Sequence, residues 1–409
     1  MGLAKSLAVL GLAVLLGVSQ FSFGCCCVFG SQSKALVFLA YSPYWFQFFK
    51  GNNWTAVARD LELIKSMGFD GVRIHYEYVV ELGLVERLLD YTQRLGLKVI
   101  WSTHATYWNI KFPTRDFPNE TIVQSYKAEL RVIANASSKY SHVLYVSVFY
   151  PIPFPEVAGI TYEECLQRIN STEFNDAITD IVAYVKSFGV KCAVESEGIP
   201  RDFPVNFIEN ADGYFIQPFS TRKDDIDAQH ILDYAAYFEK SGKKVFIGEY
   251  GFRMWKPAHH WDFGMVSCEA AKAELIKQYF DFASSRFEII TYFAMYDGDG
   301  GWGLVNDDGT LRLSGWSASQ WFRDREKALE TERLLNYMRM GVIAEIVVIV
   351  ILAVFTVLNY KRVKALQNQW CGKHPRMGDA CIDWKVLAEQ MVHRPVSCRD
   401  FGFPNFVGS

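Results

Sequence analysis

The chain has 409 residues, 42 Lys and Arg against 45 Asp and Glu, a net charge of -3, and half of its residues are apolar. That length and apolar content allow one large domain or two medium ones with a sizeable core and exclude a disordered protein. Neither half carries a basic stripe, so nucleic acid is not an expected partner, and neutral ligands fit better.

Lys5 precedes an apolar run, Ser6 to Gly24, extended by Cys25, Cys26 and Cys27. Residues 1-30 therefore read as a secretory signal peptide or an uncleaved signal anchor. Residues 35-40 form a first buried strand ending in Ser42-Pro43-Tyr44-Trp45. Asn53 or Thr55 then caps a helix whose apolar face is Val57, Leu61, Ile64 and Met67. Gly68 to Gly71 turns the chain into a second strand, 72-77. The same unit recurs: a helix over 82-95 leads to strand 98-102, and a helix bearing Ile122, Tyr126, Leu130 and Ile133 leads to strand 143-148. A helix over 174-188 leads to strand 190-194, a short helical piece to strand 213-216, and a helix over 226-240 to strand 245-247. The helix 269-284 leads to an eighth strand, 288-295, and an amphipathic stretch over 317-329 closes the series.

Eight strands alternating with helices predict an α/β fold, a single (β/α)8 TIM barrel over residues 31-329. An open doubly wound sheet needs a Gly-rich turn after its first strand, and Tyr41-Ser42-Pro43-Tyr44 is not one. Residues 330-340 form a charged connection, which puts the barrel close to a bilayer. Residues 341-360 are apolar and are followed by Lys361, Arg362 and Lys364, a transmembrane helix with its positive flank inside. The tail, 361-409, is then cytoplasmic and the barrel lies outside the cell membrane. Glu345 interrupts the span one turn from its outer end and reads as an acid snorkelling to the interface. Four glycosylation sequons, at Asn53, Asn119, Asn135 and Asn170, lie in the external part and fit a glycoprotein.

Of nine cysteines, three are external (Cys165, Cys192, Cys268), which allows at most one disulfide there. The tail cysteines with His374 and His393 lack a close Cys-x-x-Cys pair, so no zinc site is expected, and no metal or other cofactor is implied. His259 and His260, beside Trp261 and Asp262, read as a solvated loop.

In such a barrel the C-terminal strand ends share one face. They bring together Tyr44 and Trp45, Arg73, His75 and Glu77, His104, Tyr107 and Trp108, Tyr150, Glu195 and Glu197, Gln217, Glu249, and Tyr296, Asp297 and Trp302. Carboxylates with an Arg, histidines and aromatic plates are what cleavage of a glycosidic bond needs: one acid attacks the anomeric carbon, a second protonates the leaving oxygen, and rings stack on sugar faces.

The segments YSPYW, DLELIKSMGFDGVRI, FIGEYGF and YFAMYDGDGGWGLVNDDGTLRLS together resemble the clan A glycoside hydrolases, nearest to the β-1,3-glucanase and cellulase-like families, over residues 35-328. The resemblance implies a retaining double displacement without a metal. Glu249 matches the strand-seven nucleophile, Arg73 the Arg that holds it ionised, and His104 the strand-three His. Trp302 or Tyr296 matches the aromatic floor, and His75, Trp108, Tyr150 and Gln217 complete the expected substrate contacts.

One departure is sharp. The clan's acid/base Glu ends strand four, where this chain has Tyr150, and an ordinary tyrosine is a poor proton donor at neutral pH. Glu156, Glu197 and Glu195 are available as replacements, with Glu197 and Glu156 foremost. The expectation is a membrane-anchored hydrolase or transglycosidase acting on a poly- or oligosaccharide. The alternatives are a carbohydrate-binding pseudoenzyme and a cell-surface scaffold that signals through its tail.

Overall fold

The computed structural model describes residues 35-41, 53-81, 83-103, 112, 116-150, 160-196, 207-219, 222-254, 265-296, 301-306 and 308-373. Two compact units emerge, residues 31-331 and residues 1-30 with 332-409.

The larger unit opens with β1 (Leu36–Tyr41), then α1 (Trp54–Met67), β2 (Gly71–His75), α2 (Glu77–Glu81), α3 (Val85–Leu95) and β3 (Lys98–Ser102). There follow α4 (Glu120–Ser137), β4 (Val143–Phe149), α5 (Tyr162–Ile169), α6 (Thr172–Lys186), β5 (Cys192–Ser196), β6 (Gly213–Ile216), α7 (Ala228–Glu239) and β7 (Lys244–Tyr250). A two-stranded ribbon of β8 (Arg253–Met254) and β9 (Met265–Val266) precedes α8 (Glu269–Arg286) and β10 (Ile289–Tyr292). The series ends in α9 (Leu313–Lys373).

β1 to β7 and β10 close into a parallel barrel, with β10 between β7 and β1. This is the TIM barrel that the alternation of buried strands and amphipathic helices demands. Helices start where polar side chains satisfy their free N–H groups. Asn53, not Thr55, caps α1 by accepting from Ala56 N at 3.3 Å, and Asn119 caps α4 by accepting from Thr121 N at 2.9 Å. Thr161 and Glu164 form a reciprocal capping box at α5, a helix the chain-order reading lacked.

Several boundaries differ from expectation. The second strand stops at His75 because Glu77 begins the short α2, and the eighth stops at Tyr292. The fifth starts at Cys192, two residues later than the apolar run suggests.

Side chains of the barrel strands alternate between two environments, as a period of two requires. Val37, Leu39, Val72, Ile74, Val146, Val148, Val194 and Ile247 face the helices and belong to the large core cluster. Phe38, Ile100, Tyr145, Ala193, Phe215, Phe246 and Ile289 form a second cluster inside the barrel. Its rings need room that glycine supplies. A Cβ on Gly71 collides with the Phe38 ring, and one on Gly213 would lie 2.8 Å from Phe246 Cε2.

The first part of α9 belongs to the barrel unit. Phe322 fits against Gly68, whose φ of 104° no other residue adopts readily, and Arg325 Nη2 donates to Ala35 O at 2.7 Å. In the second unit α9 continues without a break, so the expected connection at 330-340 is helical. This helix is long and apolar enough to cross a membrane: its most apolar window has mean hydropathy 2.9 and is fully exposed.

Candidate active site

One layer above the aromatic cluster, the inward positions turn polar. β2 contributes Arg73 and His75, β3 Ser102, β4 Ser147, β5 Glu195, and Gln217 follows β6; all are buried. Arg73 is the centre of this layer. Its Nη1 donates to Glu249 Oε1 and its Nη2 to Glu195 Oε1. A fully buried guanidinium is tolerable only with its charge matched, and here two carboxylates from two strands match it.

Glu249 reaches this layer by a break in the strand's alternation. Phe246 points into the barrel and Ile247 away from it, so a regular strand would send Glu249 outward as well. The register against β10 slips there: Ile290 pairs with Ile247, yet Tyr292 pairs with Tyr250. The extra residue is a bulge that re-aims Glu249 inward while Tyr250 turns out and stacks on Tyr279, 4.6 Å away. The flanking glycines have steric reasons. A Cβ on Gly248 would lie 2.9 Å from Phe215 Cβ, and a Cβ on Gly251 collides with Phe293 O.

The Glu249 side chain is 7% exposed, and His75 Nε2 lies 3.0 Å from the same Oε1 that Arg73 binds. Glu195 is fully buried. Its Oε2 accepts from Ser102 Oγ at 2.7 Å and Ser147 Oγ at 3.0 Å, and its Oε1 also accepts from Gln217 Nε2 at 2.7 Å. A carboxylate enclosed by four donors reaches no leaving group, so Glu195 is withdrawn from the candidate acid/bases. Gln217 likewise spends its amide N–H on Glu195.

Tyr150 also leaves the set. It is fully buried, continues the outward parity of Val146 and Val148, packs its ring 5.2 Å from that of Phe174 on α6, and donates its hydroxyl to Asn175 Oδ1 at 3.3 Å. Burial pushes that hydroxyl far above the ordinary tyrosine range, which makes it a still poorer proton donor. Tyr296 is not an aromatic floor either. It is buried, and its hydroxyl donates to Asp60 Oδ1 on α1 at 2.5 Å while Tyr41 donates to Oδ2 at 3.1 Å. Burial raises the Asp60 carboxyl despite those two bonds.

Trp302 is half-buried, edge-on to Phe219 at 5.4 Å and to Phe293 at 5.5 Å. It is held from behind by Lys272, a buried lysine whose Nζ donates to Gly301 O at 3.0 Å and Gly303 O at 2.6 Å. The sequence reading missed Lys272 because a lysine on an otherwise charged helix surface gives no sign of burial. Ser102 and Ser147 were detectable as polar residues two positions beyond Ile100 and Tyr145. His104, Trp108, Glu156 and Glu197 lie outside the described residues, as do Tyr44, Trp45, Tyr107, Asp297, His259 and His260.

No protein-family model matches the sequence, and neither does any curated protein sequence. Solved structures do match. A β-glucuronidase from Ruminococcus gnavus superposes with a TM-score of 0.52 at 12% identity, over 71% of this chain and 50% of that one. GH5_18 from Streptomyces cattleya, in complex with GlcNAc, gives 0.52 at 15% identity, over 71% of this chain and 80% of that one. The chain thus spans about half the length of the β-glucuronidase, and at these identities the likeness is one of fold. The barrel has the fold of these glycoside hydrolases.

Proposed function

We propose that the chain is a membrane-anchored, outward-facing glycoside hydrolase or transglycosidase in which Glu249 attacks the anomeric carbon of a β-linked glycan. The observation that carries this reading is the bulge in β7, which turns one carboxylate into the barrel with Arg73 and His75 on a single oxygen. That contact keeps the carboxylate anionic and oriented for attack. A glycosyl ester forms as the leaving oxygen takes a proton from a second acid. Water or a sugar hydroxyl then displaces the ester with that same residue as base. Glu197, just beyond β5, and Glu156, in the loop after β4, are the proposed acid/bases. Trp302 supplies a plate for the sugar's apolar face. His104 and Trp108 remain proposed contacts from the loop after β3.

The apolar stretch of α9, flanked by Lys361, Arg362 and Lys364, supports a single anchor with the tail inside and the barrel outside. A second reading, glycan binding without turnover, is favoured by Tyr150, which removes the acid/base from its expected strand.

A dinitrophenyl fluoroglucoside, with its manno counterpart, tests the first reading on the full chain. The activated leaving group departs without a general acid, so Glu249 is esterified whichever residue serves as acid/base. Mass spectrometry is expected to find the adduct on the peptide carrying Glu249, and Glu249→Gln to lower labelling by about a thousandfold or more. Labelling with turnover of a β-glucan or β-mannan establishes the enzyme. Labelling with retention on such a glycan but no turnover supports the binding reading, and no labelling with either sugar removes the nucleophile assignment.

A further inference from the structure

Glu195 is a fully buried carboxylate, yet it shares a guanidinium with the candidate nucleophile. Donors from β2, β3 and β4 and from the end of β6 converge on it, two on each oxygen. Its position is therefore fixed by the barrel itself. Arg73 places Nη2 on Glu195 and Nη1 on Glu249, so one cation stands between two anions. Among the described residues, the only other titratable group contributed to this layer is His75, beside Glu249. β1 and β10 contribute Ala40 and Thr291, and β3, β4 and β6 neutral hydroxyl and amide groups.

We propose that Glu195 is a positioning residue that sets both the aim of Arg73 and the basicity of Glu249. By holding Nη2, it leaves one nitrogen for Glu249 and prevents the two-pronged grip that a guanidinium otherwise makes on a single carboxylate. By sharing the positive charge, it stops Arg73 from stabilising the Glu249 anion so strongly that attack is damped. This role rests on the reading of Glu249 as nucleophile, and it explains why a carboxylate with no access to substrate occupies the floor of the site.

The test compares wild type, Glu195→Gln and Glu195→Asp as full chains, with two probes across pH. The dinitrophenyl fluoroglucoside reports attack by Glu249. A water-soluble carbodiimide with an amine, read on the Glu249 peptide, reports the ionisation of that carboxyl without any sugar. Removing the Glu195 charge in Glu195→Gln hands Arg73 to Glu249, and the acid limb of both profiles is expected to move down by about one pH unit. Glu195→Asp keeps the charge but shortens the reach, and is expected to lower the labelling rate at least about tenfold with the limb in place.

If Glu195→Gln gives the wild-type profile with both probes, the proposal is overturned while the nucleophile assignment stands on sugar labelling. If the carbodiimide profile shifts and no fluoro-sugar labels wild type, the charge link from Glu195 to Glu249 holds, whereas the nucleophile reading and with it the role of Glu195 in attack fail. Should Glu195→Gln not fold, Glu195→Asp decides alone: a wild-type labelling rate sinks the proposal.

Discussion

On β4 the inward side chain is Tyr145 at one level and Ser147 at the next. On β3 the step is Ile100 to Ser102, on β5 Ala193 to Glu195, and at the end of β6 Phe215 to Gln217. Two residues along the same strands, the barrel interior changes from a plug of rings to a polar layer around one guanidinium. The lower layer is built of apolar contacts and aromatic pairs, such as Tyr145 and Phe215 at 5.6 Å. The upper layer contains a cation and two carboxylates with their donors. The difference teaches that the floor is part of the site. A ring-filled plug excludes water from below, lowers the local dielectric and strengthens every charge interaction above it.

The largest effect expected from separating the two layers comes from Phe38→Ala. Phe38 is fully buried in the plug, against the face of Gly71. Removing its ring leaves a cavity and is expected to cost about 3 to 5 kcal/mol of stability. Thermal unfolding followed by tryptophan fluorescence measures it. Below the lowered melting temperature, labelling of Glu249 is expected to persist, because Arg73, Ser102, Ser147 and Gln217 sit in the upper layer. Loss of labelling in a folded Phe38→Ala protein would show that plug and site are one unit.

Gly248→Ala acts where the layers meet. The added methyl would lie 2.9 Å from Phe215 Cβ and 3.3 Å from Ile216 O, so either β6 or the bulge in β7 must move. Overpacking of this kind costs about 1 to 3 kcal/mol. Here it also displaces the bulge that aims Glu249. Labelling is expected to fall by about a hundredfold, more than the stability loss accounts for, since a shift near 1 Å suffices. A Gly248→Ala protein that labels at the wild-type rate would separate the bulge from the aim of the carboxylate.

These layers also mark how far the residues alone lead. The barrel was evident because buried strands alternate with helices of period 3.6, and Arg73 and Glu249 were evident because a buried charge at a strand end has few structural uses. The direction of Glu249 was not. Strict alternation from Phe246 sends it outward, and only the slip against β10 brings it in, a pairing that local sequence does not specify. Tyr150 shows the reverse case. Its parity with Val146 and Val148 already pointed to the helices, but the alignment with an expected acid placed it at the mouth. Glu195 was read as a possible proton donor because burial by four partners from separate strands is a tertiary fact.

The smallest predicted effect compares the two histidines that are buried among the described residues, His75 in the polar layer and His142 at the N-terminal end of β4. His142 lies on the helix-facing side of the barrel, where its Nε2 is 3.0 Å from Thr92 Oγ1 on α3 and its ring is 5.7 Å from that of Tyr140. Burial, and secondly the charge of Lys98, hold its protonation below the ordinary histidine value of 6.5. The folded protein therefore keeps this ring neutral while the unfolded chain takes up a proton as pH drops through 6.5. Stability from His142 is present above that pH and is lost on acidification toward the lowered folded value. Replacing it by Gln, which retains a hydrogen-bonding partner for Thr92, removes the titration. The difference in melting temperature between wild type and His142→Gln is then expected to change in favour of the variant as pH falls from 7 to 5, whereas labelling of Glu249 keeps its wild-type pH profile. A shifted labelling profile would mean that charge at the N-terminal end of β4 is felt at the polar layer.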